Sequence, residues 1–154
     1  MKKVILHRKR SITTALAGFA VLCFAFTSYQ TKPKLPLDTK TYVVEVLQDG
    51  KSKPICPDDE LKFNTGKFKS VLFMDWGFSN SPYNCTVIDS TSEKKIYTFD
   101  CETKPNDKGE IMIWSGTVTG EDIEGTAELQ RKGKTVKTYT FSGTLKAKPG
   151  SKKK

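Results

Sequence analysis

The chain has 154 residues, with 26 basic and 17 acidic side chains and a formal net charge of +9. That length holds one domain. Five basic and no acidic side chains fall within residues 1–25, so the rest of the chain carries 21 basic and 17 acidic groups, a net +4. Five of those basic groups lie near the C-terminus, at Lys146, Lys148, Lys152, Lys153 and Lys154. The body is therefore near neutral, which does not indicate a basic nucleic-acid face, and no nucleic-acid partner is expected.

The N-terminus places Lys2, Lys3, Arg8, Lys9 and Arg10 ahead of an apolar stretch from Ile12 to Phe26. A charged start followed by a short hydrophobic core is the layout of a secretory signal. The stretch is shorter than the roughly 20 residues of a membrane span. Residues 1–25 are expected to be a signal peptide, cleaved after Ala25, with small Cys23 and Ala25 at the specificity positions. The alternative is a retained N-terminal anchor helix, holding the protein to a membrane through residues 11–27. Lipid attachment at Cys23 is a third route, but Leu22 stands where a lipoprotein signal has a small residue. The expected location is the periplasm or the exterior.

His7 is the only histidine and leaves with the signal. Without imidazole there are no Ser-His or Cys-His nucleophile pairs and no histidine metal sites. Cys56, Cys85 and Cys101 remain in an oxidising destination, an odd number that leaves at least one unpaired.

Residues 26–40 hold Pro33 and Pro36 without periodicity and read as a linker. Strand structure is expected from Thr41, where Tyr42, Val44 and Val46 alternate with Val43, Glu45 and Leu47 up to a turn at Asp49-Gly50. Lys51 to Glu60 reads as a loop, with Pro57-Asp58-Asp59-Glu60 suited to cap one helical turn. Leu61 and Phe63 form a short strand turning at Asn64-Thr65-Gly66. In the next run Phe68, Ser70, Leu72, Met74 and Trp76 share one face and Val71 and Phe73 the other. Such a two-sided strand is covered on both faces or forms part of a binding surface.

Cys85 to Cys101 reads as a hairpin centred near Glu93, with Val87 facing Phe99 and Asp89 facing Tyr97. That register opposes Cys85 and Cys101. Opposed positions separate the β-carbons by about 4.5 to 5.5 Å, against about 3.8 Å in a disulfide, so a bridge needs modest adjustment. It would contribute on the order of 3 kcal/mol. Two buried thiols, or a bond from Cys56 to either one, are the alternatives.

The last third specifies its own register. Val118 pairs with Ile123 across a Gly120-Glu121 turn, which aligns Gly116 with Gly125, Trp114 with Ala127 and Met112 with Leu129. Beyond the loop Arg131-Lys132-Gly133-Lys134-Thr135, Ala127 meets Tyr139, Gly125 meets Phe141 and Ile123 meets Gly143. A one-residue slip would turn every apolar side chain to water. The chain thus reads as all-β, about eight antiparallel strands in a meander over residues 41–147, followed by a disordered lysine-rich tail at 148–154. A meander this long closes into a small barrel to remove its edges, with a β-sandwich as the alternative.

The run Trp114-Ser-Gly-Thr-Val-Thr-Gly120, with Ile123-Glu-Gly-Thr126 and Phe141-Ser-Gly-Thr-Leu145, resembles strand-turn-strand passages of exported avidin-like and lipocalin-like, calycin-type β-barrels. The likeness implies the fold class and transfers no ligand residue.

On this reading Trp76, Trp114, Tyr97, Phe99, Tyr139 and Phe141 line a barrel interior that inward glycines leave roomy enough for a small hydrophobic ligand. Lys137, near one end of the inner face, would meet an acidic ligand group. Eight strands enclose space either for packed side chains or for one small ligand, so a filled core is the competing reading. Asp58, Asp59 and Glu60 lack calcium-loop spacing and read as caps and solvated turns. Of the carboxylates Glu110, Glu121, Asp122, Glu124 and Glu128, all but Glu110 fall outward or at a turn. No metal, cofactor or catalytic residue is expected. The functional expectation is a non-catalytic exported barrel that binds a small apolar or amphipathic ligand or an envelope component. A structural or protein-interaction module docking through Val71, Phe73 and the tail is the alternative.

Intact mass of the exported protein should show loss of residues 1–25. A chain that keeps them identifies the retained anchor instead.

Overall fold

The computed structural model describes residues 34–89 and 95–147. All belong to the second of two compact units in the chain, residues 32–154. The segment expected to be a signal or anchor, His7, Glu93 and the tail lie outside the described residues.

The described chain is all-β. Its strands are β1 (Thr41–Gln48), β2 (Cys56–Asn64), β3 (Lys67–Ser70), β4 (Ser81–Asp89), β5 (Ile96–Glu102), β6 (Glu110–Thr119), β7 (Asp122–Arg131) and β8 (Lys134–Leu145). Each pairs antiparallel with the next, and β8 returns to β1 from Tyr42↔Leu145 to Gln48↔Tyr139. All eight therefore lie in one ring-like sheet, not in two packed ones.

The register expected for the last third is the one observed. Val118↔Ile123, Gly116↔Gly125, Trp114↔Ala127 and Met112↔Leu129 pair between β6 and β7. Ala127↔Tyr139, Gly125↔Phe141 and Ile123↔Gly143 pair between β7 and β8. The expected five-residue loop after Gln130 is instead a two-residue turn at Lys132-Gly133, both at positive φ, followed by a register shift that skips Val136. Positive φ at both central residues gives a tight turn whose twist matches the flanking strands.

Two expectations in the first half fail. Cys56–Asn64 is one nine-residue strand, with no loop or helical cap at Pro57–Glu60. The run after Lys67 is not one strand, because β3 stops at Ser70 and a four-residue helix, α1 (Val71–Met74), follows. The cause is Asp59, which is 2% exposed. Its carboxylate accepts the Ser70 hydroxyl at 2.5 Å and the Leu72 amide at 2.8 Å. Ser70 Oγ accepts the Phe73 amide at 3.2 Å. A side-chain acceptor at a helix start satisfies amides that have no intrahelical partner. Strand periodicity cannot register a cap supplied from another strand.

Part of the expected linker is also built into the fold. Leu37 is fully buried, and the Asp38 carboxylate accepts the amides of Leu35 and Gly66 and the Tyr83 hydroxyl. Burial opposes ionisation of Asp38, yet these bonds and the nearby Lys34 hold its carboxyl below the usual 3.8.

Asp59→Ala should cost about 2 kcal/mol in chemical unfolding, through the lost cap and the unmatched Ser70 hydroxyl. Because folding lowers the Asp38 pKa, its contribution is complete above the unfolded value and is lost as pH falls through the folded one. Stability should therefore drop below about pH 4 in acid unfolding monitored by circular dichroism. Asp38→Asn should flatten that acid limb.

Candidate functional site

The inner face of the ring is the expected ligand pocket, and aromatic rings occupy it. Phe63 lies 5.0 Å, centroid to centroid, from each of Phe68, Tyr83 and Phe99. Phe68 continues to Trp114 at 5.0 Å, and Trp114 to Phe73 at 5.3 Å and Phe141 at 5.5 Å. Most of these contacts are edge-on or tilted, the favoured geometry for aromatic pairs.

The inward glycines do not leave a hollow. A Cβ on Gly116 would meet Phe99 Cε1 at 2.5 Å, and one on Gly125 would meet Phe141 Cζ at 2.6 Å. The missing side chains make room for rings from the neighbouring strands. At Gly143 the near neighbours are the Val43 carbonyl and the Val44 Cα, so β8 lies tightly against β1 there. A crevice beside Phe68, Phe73, Phe78 and Trp114 measures about 10 Å³. That is room for about one water.

The sequence-predicted site residues therefore divide. Trp114, Phe99, Tyr139 and Phe141 come together as buried core. Trp76 follows α1, is 41% exposed and rests against Phe73 and Tyr139 at 4.9 and 6.2 Å. Tyr97 is half-buried beneath the Lys40 ammonium, 5.5 Å from its ring. Lys137 has the inward parity expected of it but is exposed, extending its amine to water at the rim. Phe73, expected on an outer docking face with Val71, is 1% exposed and plugs one end of the ring, while Val71 stays outside.

Cys85 and Cys101 are free thiols, as is Cys56. The register of β4 on β5 differs by two residues from the expected one. Cys85 opposes Phe99, Val87 opposes Tyr97, and Cys101 opposes Tyr83. The two sulfurs share a face but stand on a diagonal, where α-carbons are about 7–8 Å apart, beyond a bridge without movement. Burial raises the Cys85 thiol and pushes Cys101 up to about 12, with Asp100 and Glu102 adding to the latter. Neither is a thiolate at neutral pH.

Glu110, the one carboxylate expected off the outer face, is 6% exposed and fully engaged. It pairs with Arg131 and accepts from Asn106, whose side-chain amide also donates to the Trp76 carbonyl. These bonds hold its carboxyl below the usual range and tie the β5–β6 loop to the segment after α1. Among the described residues two buried side-chain oxygens lack hydrogen-bond partners, the hydroxyls of Tyr42 and Tyr139, and burial raises both phenols. Among the described residues no group of His, Cys, Asp or Glu is placed to hold a metal ion.

The large concavity lies on the other side of the sheet. It measures about 570 Å³ and runs across the outer face of β5, β6, β7, β8 and β1. Two rows of paired residues line it. Ser115 pairs with Thr126 and Thr126 with Thr140 in one. Thr98, Thr117, Glu124, Ser142 and Glu45 succeed one another in the second. Gly116 and Gly125 form its floor. The lining carries hydroxyls and two carboxylates and no lysine or arginine. In the sequence only Glu124 of this lining stands out, as an outward carboxylate. The signal that could have pointed to them is the opposed glycine pair beneath.

Comparison of the chain with protein-family profiles, curated proteins and solved structures gave no match.

Proposed function

We propose that this protein is an exported, non-catalytic binding module, a small closed barrel whose interior is its structural core and whose working surface is outside. The observation that carries this reading is the contrast between an inner face filled by rings, with Phe99 against Gly116 and Phe141 against Gly125, and a concavity of about 570 Å³ on the outer face. An apolar ligand inside would have to displace the Phe99 or Phe141 ring from its glycine gap. On this reading the sequence resemblance to lipocalin-like and avidin-like proteins concerns architecture, not an enclosed ligand.

The outer concavity supports a polar ligand rich in hydroxyl or amine groups, and the glycans of a cell envelope have that chemistry. The hydroxyls of Ser115, Thr126, Thr140 and Ser142 both donate and accept, and Glu45 and Glu124 accept. The absence of imidazole after residue 7 and the raised pKa values of Cys85 and Cys101 support binding over catalysis.

Titration of isotopically labelled protein with soluble N-acetylglucosamine oligosaccharides, followed by amide NMR, should shift Ser115, Thr126, Thr140 and Ser142. Thr126→Arg should weaken binding at least tenfold without unfolding the sheet. An anilinonaphthalene probe should leave Trp114 and Phe141 unmoved. Probe binding at those two residues, or no response to the oligosaccharides, overturns the reading.

A further inference from the structure

The ring has one thin seam. Seven of the eight neighbouring pairs share at least four register positions, but β3 meets β4 only at Lys67↔Pro82 and Phe68↔Ser81. One further bond crosses there, from the Tyr83 amide to the Gly66 carbonyl at 3.3 Å. The chain reverses at Thr65-Gly66, so β4 runs on past the end of its neighbour.

The Tyr83 bond fixes which way the backbone of β4 points. Along a strand, alternate residues direct their N–H and C=O groups to the same side. Tyr83 faces β3, so the backbone of Cys85 and Val87 faces the same way, beyond the end of β3. Among the described residues, nothing pairs with their backbone on that side.

The exposed edge has the composition that invites another strand. Natural edges are blunted by charge, proline, bulges or a covering element. Here Pro82 lies at one end and the register shift between Val87 and Asp89 at the other. Between them Asn84-Cys85-Thr86-Val87-Ile88 carries no charge. Val87 and Ile88 are 47% and 62% exposed, and Ile88 is the most exposed large hydrophobic side chain among the described residues.

We propose that a second copy of this chain pairs with this edge, β4 against β4, antiparallel about a two-fold axis through Thr86. In that register the Cys85 N–H and C=O bond the partner's Val87, and Val87 bonds the partner's Cys85. Four hydrogen bonds form and both open positions on each edge are filled. Thr86 stands opposite the partner's Thr86 in a non-hydrogen-bonded pair, and Val87 packs beside the partner's Cys85. A two-fold contact must be self-complementary, and an uncharged stretch bounded alike on both copies meets that condition. The inference is independent of the outer concavity, which lies on other strands.

The test uses the full chain. A non-hydrogen-bonded pair holds its α-carbons about 4.5 Å apart, within disulfide range. Thr86→Cys, in a chain that also carries Cys85→Ser, should form a covalent dimer through position 86 under mild oxidation. Thr98→Cys in the same background, one strand away from the edge, should stay monomeric. Val87→Pro deletes an amide that bonds nothing among the described residues, so it should keep the fold by circular dichroism and lower the association constant in analytical ultracentrifugation at least tenfold. A folded Thr86→Cys chain that stays monomeric overturns the proposal. So does association that survives Val87→Pro, or a Val87→Pro chain that no longer folds, since that would place the amide inside the monomer.

Discussion

A ring of eight strands has to be filled, and in this protein the filling is a set of aromatic side chains lodged against glycines on adjacent strands. Phe99 lies over Gly116 and Phe141 over Gly125, so two rings occupy the positions where two β-carbons would stand. The same glycines let β6 and β7 curve enough for β8 to reach β1. Curvature and core are thus two consequences of one arrangement. A residue with any side chain at Gly116 or Gly125 disturbs both together, because interiors at this density cannot absorb a misplaced carbon.

The closure extends to the ends of the ring. At one end Phe73 of α1 packs on Trp114 and Tyr139, held there by the Asp59–Ser70 cap. The Leu35–Lys40 turn brings in fully buried Leu37, with Asp38 gathering amides from two segments and a hydroxyl from a third. Two carboxylates at sites this buried would oppose folding if unpaired. Each is surrounded by donors, so each instead fixes where a short element sits. The inner face, with rings and plugs in place, is a core in the same sense as that of a helical bundle. The open features lie elsewhere: a concavity on the outside of the sheet over Gly116 and Gly125, and the stretch of β4 that runs past its pairing with β3.

How far the fold was legible depended on how local its determinants are. From Ile111 to Leu145, three strands with opposed apolar faces and tight turns leave one register that buries Met112, Trp114, Val118, Ile123, Ala127 and Leu129 together. Alternation has period two, so that register was readable. The β4–β5 hairpin obeyed the same parity but settled two residues away, because a shift of two keeps every side chain on its face and costs no burial. The proposed cysteine pairing depended on that difference. The residues expected to line a pocket suffered in the same way. An inward glycine next to an aromatic is compatible with a cavity or with a ring filling it, and the choice lies in the rotamer of Phe99 or Phe141, set by strands distant in sequence.

By itself the sequence determined the strand class, the number of strands, the turn at Gly120, and the face the core residues of the last three strands present. These follow from side-chain alternation and glycine backbone freedom, both properties of neighbours along the chain. Only the tertiary structure decided that the run after Ser70 becomes a helix, that Cys85 and Cys101 miss each other, that the interior is filled and that the concave surface faces outward. Each of those outcomes turns on contacts between segments remote in sequence, such as Asp59 with Leu72 or Phe141 with Gly125, where packing and desolvation outweigh local preference.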